Sequence, residues 1–219
     1  MLPLYVDVSD KRIVVFGGGA VAERKICQIL DTAEEDTDEG KVDLEVYSLD
    51  FTAHIEALRE KGEIRCFRCD LCDQNLEELI KRAFLILICT GDDTLNERIL
   101  KESAKFDALV NYRNAGDAFM ASVVNKGGFL ISISTMGKGP AMARYMKEKI
   151  SAIIEEKEEK MLYIQSHLRG YLKERIKDEK SRREILNHVL SDPECWAALD
   201  EPVEVAEERI LRIVGGRYA

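Results

Sequence analysis

Long apolar segments are missing from this chain of 219 residues. The longest uninterrupted apolar run is Ala83–Cys89. A helix that crosses a membrane needs about 20 apolar residues, so we expect no membrane span. The first residues, MLPLYVDVSDKR, also lack a basic stretch followed by an apolar one and therefore predict no secretory signal.

Positive charge is also in short supply. Lys and Arg number 32 against 41 Asp and Glu, which gives a net charge of −9. Non-specific binding to phosphate groups needs excess positive charge, so this composition disfavours a nucleic-acid partner or an anionic membrane surface. Only residues 101–150 are basic, with eight Lys and Arg against four Asp and Glu. An anionic ligand is therefore expected near that block.

Cysteine pairs are not expected, because six cysteines in a chain without a secretory signal are typical of reduced thiols in the cytoplasm. Cys66, Cys69 and Cys72 have a spacing that resembles part of an iron–sulfur or zinc site, but no clear fourth ligand lies nearby. A strand through Cys66 and Cys69 would also point these two side chains to opposite faces. An ordinary strand and loop is therefore favoured, and we predict no metal.

Residues 1–110 alternate between short strands and helices. Arg12–Phe16 is a β-branched run that ends at three glycines, and Ala20–Leu30 follows with one apolar stripe. Ala83–Cys89 is apolar on both faces, as a buried parallel strand should be. The alternation predicts an α/β fold with a doubly wound, Rossmann-type parallel sheet. The other predicted elements are strands at 42–48, 63–68 and 108–110, helices at 52–60, 76–82 and 96–105, and an acidic loop at 31–41.

The glycines form a dinucleotide-binding motif. Gly17-Gly18-Gly19-Ala20-Val21-Ala22 fits G-x-G-x-x-A between a predicted strand and a predicted helix. In this motif Gly17 permits the tight turn, Gly19 lets the backbone approach a pyrophosphate, and Ala22 keeps the helix close to the strand. The helix N-terminus then offers free N–H groups to the phosphates.

An acidic residue is expected after the second strand, where it would accept hydrogen bonds from ribose hydroxyls and favour NAD over NADP. Asp50 is the nearest acid, although it could instead cap the following helix. Thr90, Asp92 and Asp93 follow the buried strand and are candidates for the cofactor edge, or Asp92 or Asp93 caps a helix. The predicted cofactor-binding residues are Gly17, Gly19, Ala20, Val21, Leu49, Asp50, Thr90 and Asp92.

The rest of the chain changes character. Two β-rich runs, Ser122–Asn125 and Phe129–Ser134, flank Lys126-Gly127-Gly128 and predict a hairpin. From Ala141 to Leu190 the chain is almost continuously helix-forming. We expect three domains: a nucleotide-binding domain over 1–112, a small β-containing region over 113–150, and a helical domain over 151–219.

Several segments in the same order resemble the precorrin-2 dehydrogenase family, the N-terminal module of siroheme synthases. They are LPLYVDV (2–8), GGGAVAERK (17–25), TGDDTLNERI (90–99), VN (110–111) and ISISTMGKGPAMARYMKEKI (131–150). The resemblance implies a Rossmann domain, a central dimerisation region and a helical C-terminal domain. It also implies a cytoplasmic homodimer that oxidises precorrin-2 to sirohydrochlorin with NAD. Some members of the family also insert ferrous iron.

The substrate implied by the resemblance is a tetrapyrrole with eight carboxylates, which suits the basic block. Its candidate partners are Arg113, Lys126, Ser134, Lys138 and Arg144. Alternatively, Arg144 belongs to an ordinary solvated helix face. Arg113 and Lys138 are favoured because they lie in predicted loops.

One departure from the family pattern concerns the catalytic acid. The family usually carries an aspartate shortly after V-N, where this chain has Asn114. An amide cannot take up a proton as a carboxylate can. Asp117 lies three residues further on and could act instead, so the predicted catalytic residues are Asn114 and Asp117. Two alternatives follow: a catalytically impaired paralogue that binds a tetrapyrrole or NAD, and a ligand-sensing Rossmann module.

Overall fold

The computed structural model describes residues 2–33, 42–113 and 115–218. Within these residues, no helix is both long and apolar enough to cross a membrane. The contacts divide the chain into two compact units. The first contains the residues up to Val123 together with Ser134–Gly139, and the second contains Val124–Ile133 and the residues from Pro140 onward. The three domains expected from the sequence stay a prediction.

The first unit is built on a parallel sheet of five strands in the order β3-β2-β1-β4-β5. The order reverses at β1, so the carboxyl ends of β1 and β4 flank the crevice where ligands bind in such sheets. The Rossmann-type fold is therefore confirmed. The strands are β1 (Arg12–Phe16), β2 (Asp43–Ser48), β3 (Arg65–Arg68), β4 (Leu85–Ile88) and β5 (Leu109–Asn111).

Helices cover both faces of this sheet, because alternate residues of β1 face opposite ways. Ile13 and Val15 belong to one core cluster, which α1 and α2 share. Val14 and Phe16 belong to the other cluster, which α3 and α4 share. All four side chains are fully buried, as expected for a central parallel strand. The helices are α1 (Ala20–Ala33), α2 (Ala53–Glu60), α3 (Leu76–Ile80) and α4 (Asp93–Ser103).

The second unit contains a hairpin, except for the first two residues of its first strand, and five helices among its described residues. The neighbouring strands β6 (Ser122–Lys126) and β7 (Phe129–Ile133) are joined by Gly127 and Gly128, with φ angles of 57° and 77°. Positive φ at both central residues is typical of a type I′ turn, so the predicted hairpin is confirmed. The helices are α5 (Pro140–Ile153), α6 (Glu156–Arg175), α7 (Glu179–Ser191), α8 (Pro193–Ala198) and α9 (Val203–Tyr218).

Several predicted boundaries were wrong. The helix α1 continues to Ala33, into the segment 31–41 that was expected to be a loop; residues 34–41 lie outside the described residues. The helix α3 stops at Ile80 because Lys81 leaves the helical conformation with a ψ of 129°, and Arg82 after it is left-handed with a φ of 63°. The helical stretch after Ala141 is broken twice, and Asp178 caps the new start at α7 by accepting a hydrogen bond from the Ser181 N–H.

Candidate functional site

The first glycine of the motif makes a tight turn after β1. Gly17 has a φ of 109°, and its N–H donates to the Tyr47 carbonyl over 2.9 Å. A Cβ atom at Gly17 would lie 2.6 Å from the Cys89 carbonyl oxygen. Because left-handed backbone and close packing both exclude a side chain here, Gly17 has the geometric role expected of it.

Gly18 is also required, and sequence reasoning missed it. A Cβ atom there would lie 2.2 Å from the Asp50 carbonyl oxygen and 2.7 Å from Cδ1 of Phe51. The Gly18 carbonyl also accepts a hydrogen bond from the Thr52 N–H. The loop between β2 and α2 therefore packs directly onto the glycine turn. The motif accepts any residue at this position. The run of three consecutive glycines was the only sign in the sequence that Gly18 makes a close contact.

The third glycine faces open space at the start of α1. A Cβ atom at Gly19 would have no neighbour within 4 Å. The Gly19 carbonyl accepts the Glu23 N–H over 3.0 Å, which makes Gly19 the N-cap of the helix, ahead of Ala20 and the exposed Val21. Exposed N–H groups and the positive end of the helix dipole fit the pyrophosphate of a dinucleotide.

Asp50 lies two residues beyond the end of β2, with an exposed carboxylate. Its Oδ1 accepts a hydrogen bond of 2.6 Å from the Arg68 guanidinium. Arg68 also donates to the Leu49 carbonyl over 2.9 Å. The alternative that Asp50 caps α2 is wrong, because Thr52 occupies the N-cap position and accepts from the Ile55 N–H.

The segment after β4 is organised by hydrogen bonds at the start of α4. Asp92 is the N-cap, and its Oδ1 accepts from the backbone N–H groups of the first helical turn over 2.8 and 3.1 Å. The Thr90 hydroxyl donates to Oδ1 of the buried Asn96 over 2.7 Å, and the Asn96 amide donates back to the Thr90 carbonyl over 3.0 Å. The capping alternative for Asp92 is confirmed, and cofactor binding by Thr90 and Asp92 stays a prediction.

A pocket of about 390 Å³ opens at the carboxyl ends of β4 and β5, beside the first turns of α1. Among its lining residues, the half-buried Lys25 donates from Nζ to Oδ1 of Asn111 over 2.5 Å and to Sγ of Cys89 over 3.4 Å. The pocket is lined by Val21, Arg24, Lys25, Ile88, Cys89, Thr90, Asn96, Asn111, Tyr112, Arg113, Phe119 and Met120.

The lining of this pocket is cationic. It contains Arg24, Lys25 and Arg113 and no acidic residue among the residues that line it. Sequence reasoning named only Arg113, because it sought basic residues in the block 101–150. The available signal was helical spacing, since Lys25 lies four residues after Val21 and therefore on the same side of α1. An anionic group is the ligand chemistry that this lining favours.

The loop after β5 is tied to the sheet. The buried Asn111 donates from Nδ2 to the Ala118 carbonyl over 2.8 Å, and the Ala118 N–H donates to the Val110 carbonyl over 3.0 Å. Arg113, with a φ of 43°, donates to Oδ1 of Asp93 over 2.5 Å. This hydrogen bond raises the pKa of the Arg113 guanidinium above its usual value.

Of the two predicted catalytic residues, Asp117 lies in this same loop. Asp117 is exposed, so its carboxylate is accessible to a ligand. Asn114 lies outside the described residues.

The other predicted substrate-binding residues are not in the pocket lining. Ser134 and Lys138 are exposed residues of the first unit, and the Ser134 hydroxyl accepts from the Met136 N–H within a turn. Arg144 belongs to the second unit, where it pairs with Glu148 one helical turn away over 3.1 Å. Lys126 donates to carbonyls at the end of α5, Ile154 among them. The solvated-face alternative for Arg144 fits its high exposure.

The close cysteines do not converge. Cys66 packs against the core cluster beneath α1 and α2, and Cys69 packs against the opposite cluster. Burial raises the pKa of the Cys66 thiol to about 11. Across the described ranges, no three His, Cys, Asp or Glu side chains are placed to hold a metal ion.

Comparisons with known proteins agree with this geometry. Residues 4–119 match the family model described as "Putative NAD(P)-binding". A precorrin-2 dehydrogenase of Methanosarcina barkeri is 34% identical over 97% of this chain and 93% of its own length. Siroheme synthase 1 of Serratia proteamaculans is 24% identical over 83% of this chain, which spans only 36% of that protein.

A solved structure of SirC, a precorrin-2 dehydrogenase, shares the fold with a TM-score of 0.75 at 21% identity. It covers 99% of this chain and all of its own. The glycine turn, the parallel sheet and the cationic pocket all lie in or beside the part that matches the NAD(P)-binding family. Because the chain matches the Methanosarcina barkeri protein over nearly the whole length of both, it belongs to the precorrin-2 dehydrogenase family.

Proposed function

We propose that this chain oxidises precorrin-2 to sirohydrochlorin with NAD as the acceptor. The observation that carries the proposal is the cationic pocket beside the glycine turn. The turn offers a helix N-terminus to the cofactor's phosphates, and the pocket offers Arg24, Lys25 and Arg113 to an anionic substrate. Both lie at the carboxyl edge of one sheet, which is where an open α/β sheet brings cofactor and substrate together.

NAD, when bound, supplies the hydride acceptor. The chain's own residues bind and orient it. The open backbone at Gly19 admits the pyrophosphate, and the exposed carboxylate of Asp50 accepts hydrogen bonds from ribose hydroxyls. Ala20, Val21, Leu49, Thr90 and Asp92 complete the proposed cofactor-binding set.

The substrate side of the proposal rests on Lys25. Two of the three N–H groups of its ammonium are directed at Asn111 and Cys89, which leaves one for a ligand in the pocket. A carboxylate of precorrin-2 would receive a charge-assisted hydrogen bond from it. Arg113 would hold a second carboxylate, and Ser134, Lys138 and Arg144 remain proposed contacts outside the pocket lining.

Oxidation removes a hydride and a proton. NAD accepts the hydride, so the proton needs a separate acceptor. We assign the proton to Asp117, or to water that Asp117 hydrogen-bonds, because the exposed carboxylate lies in the loop that follows Arg113. The amide of Asn114 does not take this role. Iron insertion is left out of the proposal, because deprotonation of the pyrrole N–H groups would most need the carboxylate that Asn114 replaces.

The test is an anaerobic spectroscopic assay with fresh precorrin-2 and NAD. We expect turnover by the natural chain and its loss in Asp117→Ala. Lys25→Met should lower kcat/KM about ten- to a hundredfold, the usual effect of losing one charged hydrogen bond. Lys101→Met, on the exposed face of α4, removes the same charge as a matched control and should leave turnover unchanged. An inert natural chain that Asn114→Asp activates would instead support the binding paralogue and refute this function.

The proposal also includes a homodimer and a cytoplasmic location. Exposed apolar side chains on the hairpin and on α5, such as Leu130, Met142 and Tyr145, support an interface between two copies of the chain. The six cysteines are unpaired, which is typical of a reducing compartment. Light scattering after size-exclusion chromatography would give the oligomeric state, and a monomer at micromolar concentration would contradict the homodimer.

A further inference from the structure

One arginine beside the cofactor edge has no role in the function proposed above. Arg68 is the last residue of β3, and its guanidinium joins the end of β2 to the start of α2. It donates to Oδ1 of Asp50 over 2.6 Å, to the Leu49 carbonyl over 2.9 Å and to Oε1 of Glu56 over 2.9 Å. Its guanidinium carbon also lies 5.4 Å from the centre of the Phe51 ring. These contacts hold the guanidinium in one place.

That place adjoins the glycine turn. The backbone of Asp50 and the ring of Phe51 are the atoms that a Cβ on Gly18 would meet, at 2.2 and 2.7 Å. The Arg68–Asp50 ion pair therefore sits on the loop that packs against the phosphate-binding turn. A dinucleotide on that turn would present the ribose next to the acid that follows β2.

The two charges of this pair favour opposite cofactors. A carboxylate at this position accepts hydrogen bonds from the ribose hydroxyls of NAD, whereas a nearby arginine accommodates the 2′-phosphate of NADP. A phosphate monoester carries about −1.5 to −2 charges at neutral pH. Since the guanidinium and the carboxylate are only 2.6 Å apart, a phosphate within reach of Arg68 would also meet the negative charge of Asp50.

We propose that Arg68 determines cofactor specificity: it orients Asp50 for the ribose hydroxyls of NAD, and it becomes the partner of the 2′-phosphate of NADP once the Asp50 charge is removed. The inference rests on the proposed NAD site. In the natural chain Asp50 and Glu56 both contact the guanidinium, so its charge is compensated and NADP is disfavoured. When Asp50 is replaced by a neutral residue, only Glu56 still compensates the guanidinium charge. The N–H group of Arg68 that binds the Asp50 carboxylate then becomes available to a phosphate.

The chain offers a matched control for this arginine. Arg59 also pairs with Glu56, at 3.0 Å, and its side chain is exposed to a similar degree, 48% against 57% for Arg68. It forms ion pairs with Glu56 and Glu60 and not with Asp50. Arg59→Ala therefore removes one positive charge from the same network without touching the proposed cofactor edge.

The experiment is a double-mutant cycle on the full chain, with the Kd values of NAD and NADP measured by isothermal titration calorimetry. Binding is read without precorrin-2, so the result does not depend on turnover. We expect the natural chain to prefer NAD by at least about tenfold, and Asp50→Asn to tighten NADP by about tenfold. Arg68→Ala should weaken NAD several-fold, and the Asp50→Asn gain for NADP should vanish when Arg68→Ala is added.

Three results would overturn the inference. The first is an unchanged ratio of the two Kd values in Asp50→Asn, and the second is an equal NADP gain with and without Arg68. The third is a loss of NAD affinity in Arg59→Ala equal to that in Arg68→Ala. Such a result would mean that the loss comes from the change in net charge and not from the position of Arg68. A natural chain that binds neither dinucleotide would overturn the proposed function as well, whereas NAD binding with a failed cycle would overturn this inference alone. Circular dichroism of each variant checks that it is folded.

Discussion

Gly18 and Gly19 are adjacent, yet an alanine at Gly18 should mainly lower stability, whereas an alanine at Gly19 should mainly weaken cofactor binding. At Gly18 the new Cβ would lie 2.2 Å from the backbone oxygen of Asp50, so the loop between β2 and α2 must move. Overpacking of this kind costs about 1–3 kcal/mol, and a backbone contact places Gly18→Ala near the upper end. In a chain of this size, about 3 kcal/mol corresponds to a fall in Tm of about 6–12 °C.

At Gly19 the new Cβ would meet no atom within 4 Å. The remaining cost is that of an N-cap glycine replaced by alanine, less than about 1 kcal/mol. Its methyl group would project from the surface where the backbone is proposed to approach the pyrophosphate. We therefore expect Gly19→Ala to keep nearly the natural Tm while its Kd for NAD rises at least about tenfold.

Thermal unfolding followed by circular dichroism and NAD binding followed by calorimetry measure the two effects separately. We expect the larger loss of Tm in Gly18→Ala and a selective loss of NAD affinity in Gly19→Ala. Natural NAD affinity in a folded Gly19→Ala chain would refute the placement of the pyrophosphate. An unchanged Tm in Gly18→Ala would refute the tight contact with Asp50.

Three other outcomes are expected. Burial raises the pKa of Tyr47 to about 12, above its value of about 10 in the unfolded chain. Its contribution to stability is therefore complete below pH 10 and lost as the pH rises to 12; urea unfolding should show this decline, and Tyr47→Phe should reduce it. Burial raises the pKa of the Cys195 thiol to about 11, so a maleimide at pH 8 should modify exposed Cys72 first and Cys195 only in urea. Asn111→Leu leaves the Ala118 carbonyl without its amide donor and Lys25 without its amide acceptor, so it should cost about 1–3 kcal/mol of unfolding free energy; equal urea midpoints for this variant and the natural chain would contradict this.

The first strand and its turn could be predicted from residues near each other in the chain. The residues after Arg12 in β1, Ile13 to Phe16, are apolar and mostly β-branched, and three glycines follow them directly. Such a run forms a buried strand wherever it packs, and the turn after it needs the left-handed backbone that Gly17 adopts. The hairpin at Gly127-Gly128 was predictable for the same reason, since two adjacent glycines suit a type I′ turn.

The ends of elements were harder to predict, because they depend on contacts that local sequence does not record. The helix α1 runs on into Ala33 although the segment after Leu30 is rich in acidic and turn-forming residues. The choice between capping and ribose binding for Asp50 was likewise open in the sequence. Capping is ruled out because Thr52 occupies the N-cap of α2, while the Asp50 carboxylate pairs with Arg68, which lies 18 residues further along the chain.

The sequence by itself therefore determined the order of strands and helices, the glycine turn and the class of cofactor, because each follows from short-range patterns of side-chain type. Only the tertiary structure decided which polar groups meet. Lys25 and Asn111 are 86 residues apart in the chain and 2.5 Å apart in space. The parallel sheet causes this meeting, because it brings the carboxyl ends of separate strands to one edge, where α1 begins. The parallel sheet also brings the ends of β1 and β2 together, so that Gly18 packs closely against Asp50. The spacing of residues along the chain does not predict this contact.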